Sequence, residues 1–400
     1  MKWEKAAIKS VCKGIYDGPH ATPPVSDTGA IFLGISNFSN GRLDLSDIRF
    51  ISENDLPRWT KRVTPQASDI VFSYEATLNL YAVIPDGFRG CLGRRMALIR
   101  VDEEKAYYKF LYYYFYSDAW RVVIQENTVL GATVDRIPLV KFPDFLIDLP
   151  PLVTQHRIAD ILSAYDNLIE NNQKQIKLLE EATQRLYKEW FVDLCFPGYE
   201  DVKIVDGVPE GWKKDTIDSR IELLSGYAFK SSEFNDEGKY KIITIKNVKD
   251  GQFDGDNVNC MINIPEKMPE HCKLVDGDIL LSLTGNVGRV CIVHGENFLL
   301  NQRIAKLRSN NMAYTYCLFR SKDMFDNMNN LTNGVAQQNL SPIRTGKINI
   351  VFPTDALIQM FEKTVNPMLN KITVLNKSIL SLSQARDRLL PKLMNGEIEV

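Results

Sequence analysis

The 400-residue sequence states the same series of motifs twice, in the same order, offset by about 205–210 positions, half the chain. Trp3 and Ile8 correspond to Trp212 and Ile217. The segment Ile35-Ser36-Asn37-Phe38-Ser39-Asn40-Gly41 corresponds to Ile245-Lys246-Asn247-Val248-Lys249-Asp250-Gly251. Ser68-Asp69-Ile70-Val71-Phe72-Ser73 matches Gly277-Asp278-Ile279-Leu280-Leu281-Ser282, and Leu92-Gly93-Arg94-Arg95-Met96-Ala97 matches Leu300-Asn301-Gln302-Arg303-Ile304-Ala305. Gly131 and Ile137 pair with Gly334 and Ile343, and Gln155 pairs with Gln359. The offset drifts by only a few residues, as small loop insertions would make it do. The chain is long enough for two or three domains with cores of their own.

Each half opens with about 150 residues of short β-rich runs broken by Gly, Pro and Asn, such as Ile242-Ile243-Thr244-Ile245. A long helix follows. Its apolar stripe in the first half includes Ile158, Ile161, Tyr165, Leu168, Ile176, Leu179 and Leu186. In the second it includes Val365, Ile372, Leu375, Ile379, Leu382 and Leu389. Steps of three and four alternate, the pattern of a coiled-coil seam. The first helix is expected to stop near Phe196-Pro197-Gly198 and the second at Asn395-Gly396. At nearly 40 residues each helix spans roughly 55–60 Å. A narrow stripe of that length is best buried by the other helix. A duplicated chain tends to arrange its halves about a pseudo-twofold axis, which makes the pair antiparallel. The fold class expected is α+β: two similar β-rich domains, residues 1–150 and 197–352, joined by two long antiparallel coiled-coil helices within 151–196 and 353–400.

Composition sets limits on function. The formal net charge is −2, so any basic face must be local, masked by acidic helices elsewhere, or supplied by a partner. No apolar run follows the start, which predicts no secretory signal, and none reaches the roughly 18 residues of a membrane span. The seven cysteines form no CxxC pair and read as reduced thiols of a cytoplasmic protein. His271-Cys272 has no second ligand pair at usable spacing, so no metal is expected. There is no phosphate loop of the G-x-x-x-x-G-K-[ST] kind, Asn366-Pro367-Met368 is not an adenine-methyltransferase motif, and the four histidines form no acid–base group.

Four segments together resemble the specificity subunits of type I restriction–modification systems. They are Val208-Pro209-Glu210-Gly211-Trp212, Gly277-Asp278-Ile279-Leu280 with Thr284-Gly285-Asn286-Val287-Gly288-Arg289, Gln337-Gln338-Asn339-Leu340-Ser341, and the ending Leu389-Leu390-Pro391-Lys392-Leu393-Met394-Asn395-Gly396. The likeness covers essentially the whole chain. The first half departs from it at Ser73-Tyr74-Glu75-Ala76-Thr77, where the second half has its glycine loop. The resemblance implies that 1–150 and 197–352 are target recognition domains, each reading one half of a split, asymmetric site in double-stranded DNA. It implies that the helices form the spacer and dock two modification (methyltransferase) subunits, which restriction (translocase/nuclease) subunits join. S-adenosylmethionine and ATP/Mg then belong to those partners, with no cofactor on this chain, no catalytic residue and no contact with membrane.

Base readout pairs Arg with guanine and Asn or Gln with adenine. Arg94 and Arg95, and the matched Gln302 and Arg303, are candidates, with one side chain of each pair expected to face out. Asn286 and Arg289 sit in a glycine turn that suits a phosphate contact or a plain hairpin. Gln337 and Gln338 form a polar cluster, and His20 lies in the turn Asp17-Gly18-Pro19-His20. Two rivals remain: the specificity chain of another multisubunit restriction–modification class, and a coiled-coil assembly protein whose β-rich domains bind protein. A leucine-zipper regulator would need a basic run beside the heptads, and neither helix has one. The purified chain alone is expected to transfer no methyl group and cut no DNA; label incorporated from S-adenosylmethionine into duplex DNA above a no-protein control would refute this.

Overall fold

The computed structural model describes residues 3–131, 134–331 and 339–400. The chain divides into two compact units, Met1–Asn167 with Leu382–Val400, and Leu168–Ser381. Both mix helix and sheet, and the strand plan of one recurs in the other. In the first, an antiparallel sheet runs in the order Cys12–Asp17, Met96–Val101, Ile70–Ser73, Tyr81–Val83. In the second the order is Glu222–Ser225, Ile304–Arg308, Ile279–Ser282, Val290–Ile292. A second sheet places Ala30–Leu33 between Arg49–Ile51 and a parallel neighbour, Gly90–Leu92. Its counterpart places Tyr240–Ile243 between Asn259–Met261 and a parallel Phe298–Leu300, and adds Lys273–Leu274 as a fourth strand. Each region is closed by its own ends: Glu4–Ala7 pairs with Leu146–Leu149, and Lys213–Thr216 with Asn349–Phe352.

The repeated motifs have repeated physical jobs. Ile70–Ser73 and Ile279–Ser282 are buried along their whole length, which is why they read as unbroken apolar runs. The aspartate before each holds the entry turn. Gln66 N–H donates to Asp69 at 2.8 Å, and Val275 N–H to Asp278 at 2.9 Å. Both buried carboxylates are then paired with a cation of the adjoining strand, Arg100 at 2.7 Å and Lys306 at 2.7 Å. Asn37 and Asn247 are buried as well. Each side chain accepts from the N–H three residues back, Gly34 and Thr244, and donates to a carbonyl seven residues on, Asp44 and Asp254. Those bonds hold a hairpin, whose turn in the first unit is Asn40-Gly41 with both residues at positive φ.

Tyr113 and Tyr114 of the helix Tyr108–Tyr114 face a core with Phe72, Tyr81 and Trp120. Trp120 Nε1 donates to the Tyr81 hydroxyl at 2.8 Å, so the buried polar atoms satisfy each other. Gln155 and Gln359 tie the start of each long helix to the preceding domain, accepting from Tyr107 N–H and donating to Asn311 respectively.

The long helices are Leu152–Tyr187 and Asp355–Met394, 36 and 40 residues. The first continues as a π turn, Lys188–Val192, and ends before the Pro197 expected to stop it. The chain leaves the helix there as Trp190 and Phe196 turn into the core of the second unit. The C-terminal helix ends at Met394, with Gly396 at φ +73 as expected of its cap. In the first unit Ile158 and Leu162 share a core with Leu393 and Met394, and Arg386 pairs with Asp166 at 2.7 Å. In the second unit Asn172 donates to Ser378 at 3.1 Å, and the Tyr187 ring lies 6.2 Å from that of Phe361. Within each unit the two segments therefore run in opposite directions. Among the described residues no helix is long and apolar enough to cross a membrane.

Of the seam residues, Ile158, Val365, Ile372 and Leu375 are buried. Ile161, Tyr165, Ile176, Leu179, Leu186, Ile379, Leu382 and Leu389 are half-buried. Leu168 is a correction. It is 51% exposed, and Ile169 at 8% takes the inward place. The reason is Asp166, whose carboxylate accepts from Tyr113 Oη at 2.6 Å and from Arg386. That cluster sets the rotation of the helix, and the next inward position lies three residues on.

Glu180 plays the equivalent part in the second unit. It accepts from the Tyr316 hydroxyl at 2.7 Å and pairs with Arg320, which reaches Asp250 at 3.4 Å. Glu180→Ala leaves Arg320 with only its longer contact to Asp250 and should cost about 2 kcal/mol. Adding Arg320→Met should restore part of the loss in chemical unfolding. A single variant as stable as the parent would show that this pair does not hold the helix to its domain.

Candidate nucleic-acid interface

In both units the loop joining the two sheets presents the candidate readers. Arg94 and Arg95 lie between Gly90–Leu92 and Met96–Val101; Gln302 and Arg303 lie between Phe298–Leu300 and Ile304–Arg308. Arg94 is exposed and Arg95 half-buried, while Gln302 and Arg303 are both exposed. One side chain of the first pair and both of the second thus face out. Arg95 sits at φ +130, a region left almost entirely to glycine. Its Nε is buried without an acceptor, and Glu75 is 3.8 Å away.

His20 belongs to the loop that follows Cys12–Asp17. It is exposed and lies 3.0 Å from the Asp17 carboxylate. Gly18 N–H donates to the Met96 carbonyl at 2.8 Å. A Cβ at Gly18 would lie 2.3 Å from the Gly93 carbonyl oxygen, so only glycine lets this loop press against the Arg94 loop. Arg62 also meets this turn: it pairs with Asp17 and donates to the Gly18 carbonyl at 3.2 Å. Burial pushes the Tyr74 hydroxyl above its ordinary range, with Asp17 and Glu75 raising it further and Arg62 and Arg94 opposing them.

Asn286 is exposed and Arg289 half-buried in the turn joining Ile279–Ser282 to Val290–Ile292. The Ser282 hydroxyl donates to the Asn286 carbonyl and accepts from Arg289 N–H at 2.9 Å. Gly288 N–H goes to the Ser282 carbonyl at 3.1 Å. Two turn amides are thereby used inside the hairpin, and the Arg289 guanidinium is one group this turn can offer an anion. Ser73 makes the matching bond to the Thr77 carbonyl in the first unit, without the glycines. Gln337 and Gln338 lie outside the described residues.

One cluster was missed by reading the sequence for matched pairs. Arg58, Trp59, Lys61 and Arg62 line a cleft of about 330 Å³ together with Asp17, Pro19 and His20. Cations interleaved with an aromatic within five residues are the available signal. Its counterpart in the second unit is Glu270-His271-Cys272, where His271 Nε2 lies 2.9 Å from the Ser225 carbonyl, much as Arg62 meets Gly18.

Residues 2–181 and 209–359 match the type I restriction modification DNA specificity domain. The chain belongs to this family. It is 24% identical over 370 residues to the type I restriction enzyme MjaIX specificity subunit of Methanocaldococcus jannaschii, covering 88% of this chain and 82% of that one. It is 23% identical to the putative MjaX specificity subunit of the same organism, over 100% and 94% of the two chains. With the EcoKI specificity subunit of Escherichia coli it shares 22% identity over 94% and 86%. The S subunit of the type I restriction–modification system from M. genitalium has the same fold: TM-score 0.61 and 18% identity, over 98% of this chain and 96% of that one. Specificity subunits of type I systems are not themselves catalytic, and methyl transfer and cleavage reside in their partner subunits. The 23% relative extends across both halves of this chain, as the doubled strand plan does.

A strained residue in the loop of a DNA specificity domain invites a test. Arg95→Gly relieves the backbone and should stabilise the chain by about 1 kcal/mol in chemical unfolding. If it destabilises instead, the Arg95 side chain holds the loop by contacts that outweigh the strain.

Proposed function

We propose that this chain is the sequence-reading subunit of a type I restriction–modification complex and that it recognises a bipartite, asymmetric site in duplex DNA. Residues 1–150 and 197–352 are then target recognition domains for the two half-sites. The helices within 151–196 and 353–400 form an antiparallel coiled-coil spacer, with the halves related by a pseudo-twofold axis. Two methyltransferase subunits dock on the helical regions, and restriction subunits complete the assembly. S-adenosylmethionine and ATP/Mg act in those partners, and the complex works in the cytoplasm.

The observation that carries this reading is the doubled inter-sheet loop. The same position of the same strand plan offers Arg94 with Arg95 in one unit and Gln302 with Arg303 in the other. Different groups in one place are what two readers of different half-sites need, since Arg suits guanine and Gln suits adenine. Asn286, Arg289, His20, Gln337 and Gln338 complete the proposed contact set. Arg386 is not in it, because its guanidinium is occupied by Asp166 and Asp387.

Exchanging 209–352 for the matching region of another family member should change one half-site and leave the other intact. Selection from a randomised duplex library, with the modification subunits present, reads both. If both half-sites change, or neither does, the domains are not independent readers.

A further inference from the structure

The cleft beside Asp17 is built from a segment dense in cations, of which the other half repeats only Arg58, as Lys267, with Glu270 and His271 in place of Lys61 and Arg62. Arg58 ends on the short helix Leu56–Trp59, Lys61 and Arg62 follow it, and His20 faces them from the neighbouring loop. Three permanent cations meet a single carboxylate, Asp17. That carboxylate is already engaged by both Arg62 and His20. Among the described residues Arg58 and Lys61 have no carboxylate partner; the Arg58 guanidinium stands over the Trp59 ring, 5.7 Å from its centroid. Other exposed cations of the same unit do have carboxylate partners, as Lys5 has Asp148, Lys9 Asp144 and Lys105 Asp102. In a chain of net charge −2 this local excess stands out.

The charged side chains of the cleft are three cations and one carboxylate. The Gly18 carbonyl and the Asp17 carboxylate are used by Arg62. Trp59 lines the cleft, and its indole N–H is buried without an acceptor. A cleft lined by two cations that lack a carboxylate partner fits an anion, whose oxygens only accept.

We propose that this cleft holds a backbone phosphate of the DNA next to the first half-site, with Arg58 and Lys61 as its charge contacts. The proposal rests on the reading of the chain as a DNA-specificity subunit and says which part of the duplex this cleft takes. A phosphate is favoured over a base edge because a lysine ammonium is a point charge without fixed donor geometry. Base discrimination by arginine needs planar, bidentate alignment, whereas here Arg58 leans on an aromatic ring. The cleft adjoins the Arg94 loop through the Gly18–Gly93 approach, so a strand read by Arg94 continues past it.

The test uses the full chain with its modification subunits and two duplexes: one recovered by library selection with the parent complex, the other with its half-sites scrambled. Affinity is measured across salt concentrations for the parent, for Arg58→Gln with Lys61→Gln, and for a control of equal charge change, Lys5→Gln with Lys105→Gln. Each phosphate contact contributes about 0.9 to the slope of log K against log salt. The cleft variant should lose about 0.9 in slope on both duplexes and keep the selected sequence, while the control keeps the parent slope. A parent slope that survives in the cleft variant overturns the proposal and leaves the DNA reading intact. A selected sequence altered at one base overturns it in favour of base reading. A parent that binds neither duplex in a salt-dependent way overturns the DNA reading itself, and this proposal with it.

Discussion

Two helices of 36 and 40 residues carry a narrow apolar stripe that neither can bury alone, and much of the structure follows from that. Burial of the stripe in each unit brings an early stretch of one helix against a late stretch of the other. Two buried polar clusters then fix what apolar packing leaves loose. Apolar side chains slide against one another at small cost; a buried carboxylate with specific donors does not. Asp166 takes Tyr113 and Arg386, and Glu180 takes Tyr316 and Arg320. Asn172 with Ser378 adds a polar contact in the seam itself, the kind of pair that specifies register in helix pairs.

The same clusters reach the sheet regions. Arg42, next to the Asn40-Gly41 turn, donates to the Asp166 carbonyl at 2.9 Å, and Tyr112 donates to Gly41. In the second unit Arg320 spans from Glu180 to Asp250 in the matching turn. Each domain is thus keyed to its helix at the hairpin that Asn37 or Asn247 shapes. The side chains differ between the halves, while the topological address of the contact is the same. Duplication fixed the address, and the chemistry at it diverged.

Much of this was legible in the sequence because each motif does one local job. The Asp before a buried strand and the Asn before a hairpin bond to backbone a few residues away, so they recur wherever the fold recurs. What depended on distant partners was not legible. Leu168 and Ile169 are equally apolar, and only the cluster at Asp166 decides which turns inward. The helix end at the π turn follows from where Trp190 and Phe196 pack. Arg94 and Arg95 were found because they have matched partners. Arg58, Lys61 and Arg62 did not stand out because the run is not repeated whole: the second half has Lys267, Glu270 and His271 there.

Reading two half-sites at once requires the readers to be held at a set distance, and the proposed spacer gives the helix pair that task. Inserting one heptad after Asn172 and one before Ser378 keeps the seam in phase and lengthens the pair by roughly 10 Å. That equals about three base pairs, and it turns the second site by roughly a third of a turn around the duplex. The direct measurement is selection from a library of duplexes with variable central spacing, with the modification subunits present. The lengthened variant should lose the native site and select the same two half-sites set about three base pairs further apart, with weaker binding. Undiminished binding at the native spacing would contradict the helices' role in setting the distance.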